Sequence, residues 1–103
     1  MKDEGTLFRA GTGMGAERRY RQDSTLPWQE VRSQAVIVVP SSREVHMLDE
    51  VGTFLWAELG TPRTPEELTR RVCEEFDVAP EQAGPDVSAF LESLLEKRLL
   101  ISD

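Results

Sequence analysis

One histidine, one cysteine and the helical acidic pairs Glu66-Glu67 and Glu74-Glu75 are the candidate groups for acid–base, nucleophilic or metal chemistry in this 103-residue chain. Such groups must converge to react, and their spacing does not bring them together. His46 lies inside the apolar run Val45-His46-Met47-Leu48. Zinc sites and catalytic triads need partners at recognisable spacing, so His46 reads as a packing or surface residue. Cys73 sits beside an apolar helical stripe, where a free cysteine behaves as a small hydrophobe. The pairs Glu66-Glu67 and Glu74-Glu75 fit an exposed helix face, where they serve solubility and the helix dipole. Gly11-Thr12-Gly13-Met14-Gly15 has the look of a phosphate loop, but no strand precedes it and no Lys-Ser or Lys-Thr closes it. The sequence therefore predicts no catalytic residues, no metal site and no cofactor, and the chain reads as a binding protein rather than an enzyme.

Composition narrows the partners. The net charge is -7, and residues 26 to 103 hold seven basic against fifteen acidic groups. Nucleic-acid binding relies on Lys and Arg to neutralise phosphates, so a domain this acidic argues against a nucleic-acid partner. The longest uncharged apolar run, Ala35 to Val39, is far too short to cross a bilayer, and no signal-peptide pattern opens the chain. No membrane partner is expected. A single cysteine excludes an intrachain disulfide and fits a reducing, cytoplasmic location.

The elements follow from periodicity. Residues 1–25 contain Gly5, Gly11, Gly13 and Gly15 with no apolar period, which reads as a flexible arm ahead of one domain spanning 26–103. Trp28 to Arg32, the β-branched run Ala35 to Val39 and the stretch Val45 to Leu48 predict three strands, the last two joined through Pro40-Ser41-Ser42. Asp49 caps a helix over 50–59, on which Trp56 lies at the margin of the apolar face and is expected to pack. Thr64-Pro65-Glu66-Glu67 is a capping box opening a second helix with the stripe Leu68, Val72 and Phe76. Val87, Phe90, Leu91, Leu94 and Leu95 give a third. The class is thus α+β, a three-stranded antiparallel sheet followed by a three-helix bundle. An open strand edge is a template for an added strand, and an apolar helix beside it would complete a peptide groove.

The run Glu44-Val45-His46-Met47-Leu48-Asp49-Glu50-Val51-Gly52-Thr53-Phe54-Leu55-Trp56, with Leu59 and Thr61-Pro62-Arg63-Thr64-Pro65-Glu66-Glu67-Leu68, resembles the PqqD family. So do Phe76 to Glu81, Asp86-Val87, Phe90-Leu91, Leu94 to Lys97 and Leu99-Leu100, and the resemblance covers roughly residues 27 to 101. It implies a winged-helix-like RiPP recognition element, a non-catalytic chaperone that binds the leader of a ribosomally made precursor peptide and presents it to a modifying enzyme, often a radical SAM protein. It also implies that the leader adds a strand beside Glu44, Val45, His46, Met47 and Leu48 and packs on Val87, Phe90, Leu91 and Leu94. Those helix side chains serve equally well as core, and both readings stand. The alternatives are a winged-helix DNA-binding regulator and a scaffold domain that forms a homodimer through the same edge. Two departures carry expectations of their own. Gly84-Pro85 should delay the third helix until Pro85, leaving a turn at 80–83, and Arg98, where glycine is expected, should let that helix run on by a residue or two.

Overall fold

The structure, a computed structural model, describes residues 18–102. In chain order the elements are β1 (Tyr20–Gln22), β2 (Trp28–Val31), β3 (Gln34–Val39), β4 (Glu44–Met47), α1 (Glu50–Glu58), α2 (Pro65–Phe76), α3 (Pro80–Glu96) and β5 (Leu100–Ser102). The predicted three-stranded antiparallel sheet is present in the order β2-β3-β4, and the three predicted helices follow it. Alternation along β3 sets the two faces of this sheet. Ala35 and Ile37 are fully buried against the helices, whereas Val36 and Val38 look outward. Trp56 is buried as expected, its ring met edge-on by Trp28 at 6.0 Å between centroids.

Each helix start is chemically specified. Asp49 Oδ1 accepts from the Gly52 amide at 2.8 Å at the head of α1. In α2, Thr64 Oγ1 accepts from Glu67 N–H at 3.2 Å while Glu67 Oε1 accepts from Thr64 N–H at 2.9 Å, completing the capping box. Two expectations for α3 are corrected. It begins at Pro80, not Pro85, and runs through Gly84-Pro85 as continuous helix. Proline at the first helical position needs no intrahelical donor, and Ala83, buried at the first turn, anchors this stretch in the core. The acceptor that Pro85 leaves unserved is the carbonyl of exposed Glu81, which water can reach. Nor does α3 run on past Lys97. Arg98 takes the left-handed conformation (φ 61°), and Leu99 N–H donates to Leu94 C=O and Arg98 N–H to Leu95 C=O. These are the two bonds of a Schellman stop, and burial of Leu99 in the core offsets the strain of a non-glycine residue there.

A third correction concerns the arm. Tyr20–Gln22 fall inside the segment predicted to be flexible, yet they form β1 and pair antiparallel with β5. Gln22 N–H further donates to Leu59 C=O at 2.8 Å and Gln22 Nε2 to Trp56 C=O at 2.6 Å. This ribbon ties both ends of the described chain to the C-terminus of α1. Residues 1–17, including the Gly11–Gly15 stretch, lie outside the described residues.

Candidate functional site

β4 pairs only with β3 among the described residues, so its other side is an open edge. Leu48 N–H donates to Ala35 C=O at 3.0 Å, which fixes the alternation of the ladder: with Ile37 opposite His46 and Val39 opposite Glu44, the backbones of His46 and Glu44 turn toward β3. The N–H and C=O groups of Val45 and Met47 therefore point away from the sheet, presented to any strand laid alongside. Side chains alternate as well. Val45 and Met47 share the outer face with Val38 and Val36 and are 60% and 62% exposed, while Glu44, His46 and Leu48 turn toward the helix side.

On that helix side lies a groove of about 600 Å³ whose walls are the N-terminus of α1, the end of α2 and one flank of α3. Val51, Gly52, Phe76, Ala89 and Phe90 supply apolar lining, and Asp49 and Asp86 are its only charged residues among those described. Gly52 matters because it has no Cβ. A methyl group there would come within 3.2 Å of Phe90 Cε1 and 3.3 Å of Leu48 Cβ, so glycine lets the Phe90 ring lie on the first turn of α1 next to the end of β4.

Of the residues singled out by sequence, Glu44, Val45, His46 and Met47 form the edge, Leu48 is buried at its end, and Phe90 is half-buried on the groove wall. Val87, Leu91 and Leu94 are 1%, 4% and 1% exposed and belong to the core, where they hold α3 in place. Val87, though buried, also lines the groove; beside it the more exposed stripe Asp86, Ala89, Phe90 and Ser93 faces it, of which sequence reasoning picked out only Phe90. Its spacing of i, i+3, i+4 and i+7 was the available signal, masked by small and polar residues. Val51 and Gly52 were likewise missed. His46 Nε2 lies 3.2 Å from Glu44 Oε1, and Cys73 is half-buried on α2. No cluster of three or more His, Cys, Asp or Glu side chains that could hold a metal occurs among the described residues. No described helix is long and apolar enough to cross a membrane.

The family model for coenzyme PQQ synthesis protein D, PqqD, matches residues 34–100, the stretch from β3 to β5. The chain belongs to the PqqD family. Among curated proteins no relative matches. Three solved structures share the fold. TbiB1, determined in complex with the TbiA(β) leader peptide, is 26% identical, with a TM-score of 0.69 over 78% of this chain and 93% of its own. Lasso peptide synthetase B1, complexed with its leader peptide, is 18% identical, with a TM-score of 0.70 over 80% of this chain and 96% of its own. The PqqD truncation of Methylobacterium extorquens PqqCD, described as a functional, stand-alone RiPP recognition element, is 18% identical with a TM-score of 0.66, covering 81% and 88% of the two chains. This PqqD-family chain thus has its open edge and groove on a fold shared with TbiB1 and lasso peptide synthetase B1, each of which was determined with a leader peptide.

Proposed function

We propose that this PqqD-family protein is a non-catalytic recognition element that binds the leader segment of a ribosomally made precursor peptide by strand addition at β4. The observation that carries the reading is the open edge at Val45 and Met47 beside the groove walled by Phe90. Each backbone hydrogen bond to an added strand contributes roughly 0.5–1.5 kcal/mol, and apolar burial in the groove must offset the cost of ordering a flexible peptide. The leader complexes of TbiB1 and lasso peptide synthetase B1 support this reading. The bound precursor would then be presented to a modifying enzyme, for which the PqqD resemblance suggests a radical SAM protein.

A DNA-reading role has less behind it. Recognition helices place base-reading groups near their start, and α3 carries Glu81 and Asp86 there and no Lys or Arg along its length.

The test uses short peptides encoded near the gene, titrated into the protein. Met47→Pro removes an outward amide without removing a bond to β3, and edge strands accept proline. With the ladder intact, it should weaken leader binding about tenfold, as the loss of one hydrogen bond and a kinked edge would. Undiminished affinity in a folded Met47→Pro protein would overturn strand addition at this edge.

A further inference from the structure

A strand laid on β4 has two faces, and the surroundings of each differ. On the outer face its side chains fall beside Val45 and Met47, with Val38 and Val36 one strand further in. All four are apolar, and cross-strand pairing there favours aliphatic or aromatic partners. On the inner face its side chains turn toward the helix side, where Phe90, which lies on the first turn of α1 next to Leu48, forms the near wall of the groove. The groove wall is apolar, but among the described residues the charges lining it are carboxylates alone: Asp49 and Asp86, both exposed. Neither has an ion-pair partner among the described residues. Glu50, next to Asp49 in sequence and exposed, adds to the same sign.

We infer that the leader taken by this groove is a cationic, two-faced strand: aliphatic residues at alternate positions cover Val45 and Met47, and on the opposite face a bulky apolar residue enters the groove with a Lys or Arg beside it that meets Asp86 and Asp49. The inference rests on the proposed strand addition and specifies the peptide it selects. Apolar contacts supply the anchoring, and the carboxylates supply the discrimination, because an acidic leader would meet uncompensated like charge.

The experiment is a selection of displayed random linear peptides on the wild-type protein, on Asp86→Lys and on Glu74→Lys. Glu74 is exposed on α2 away from the groove, so the last variant matches the change in net charge without touching the site. Peptides selected on wild type and on Glu74→Lys should share the alternating apolar pattern and carry Lys or Arg on the groove face, and Asp86→Lys should abolish that basic preference. A selected peptide titrated against Asp86→Lys should bind roughly fivefold more weakly than to wild type, with the difference shrinking at high ionic strength. Apolar peptides with no charge bias, or a basic bias lost equally in Glu74→Lys, would overturn the inference and leave strand addition standing. No selected peptide on any of the three proteins would defeat the peptide-binding reading and the inference with it.

Discussion

Thr53 joins the sheet to α1 by a single hydroxyl. Its Oγ1 accepts from the Ala35 amide at 2.7 Å and lies 3.4 Å from Leu48 C=O, closing the ladder where β4 gives way to helix. Thr53→Val keeps the shape but leaves a buried amide unpaired, so it should cost about 1–3 kcal/mol in denaturant unfolding and speed exchange of the Ala35 amide. A second expectation concerns acid. The backbone hydrogen bond from Thr64 holds the Glu67 carboxyl below the ordinary glutamate value of 4.5, with Arg19, Arg63 and Arg70 adding to the effect against partial desolvation. A carboxylate with a depressed pKa contributes stability that is fully present above its unfolded value and is lost as pH falls through the folded one. Glu67→Gln, which keeps an acceptor for Thr64, should therefore lose less stability than wild type between about pH 5 and pH 3 in parallel melts. Equal losses would remove Glu67 from the acid response. At this scale the sequence revealed caps and core better than the site. Periodicity in α3 marks the residues that bury, which is why Val87, Leu91 and Leu94 stood out and the exposed groove stripe around Asp86 and Ala89 did not.

The elements with strong periodic signals, β3, the capped α2 and the apolar face of α3, were legible because burial and hydrogen bonding act locally there. The misses share a different cause. β1 and β5 are three residues each, with no pattern of their own, and exist because the helices bring the two ends of the described chain together. Pro80 and Pro85 both resemble helix starts, and only the packing of Ala83 decides between them. The turn of the β2–β3 hairpin was not marked by sequence either. Arg32 and Ser33 adopt φ of 54° and 67°, a pairing that glycine and asparagine favour, on a two-residue connection between Val31 and Gln34. Replacing Arg32-Ser33 by Asn-Gly should raise stability by roughly 1–2 kcal/mol without moving the register. A loss of stability on thermal unfolding would show that these two side chains compensate for their strain.

For the molecule as a whole, the acidic charge and the open edge favour the same proposed partner: a chain of net charge -7 repels phosphates, and an unpaired strand edge fits an added peptide strand. The class of fold and the location of the edge were legible from one sequence because they depend on element order. The groove was legible only in its α3 wall, through Val87 and Phe90, because its other walls come from α1 and α2 and no single segment encodes their convergence. The most direct test of the central claim is residue-resolved hydrogen exchange on the protein with and without a leader peptide. Strand addition at β4 predicts that the amides of Val45 and Met47, exposed to solvent in the free protein, become protected on binding while His46, already bonded to β3, changes little. Binding that leaves Val45 and Met47 exchanging as before would contradict it.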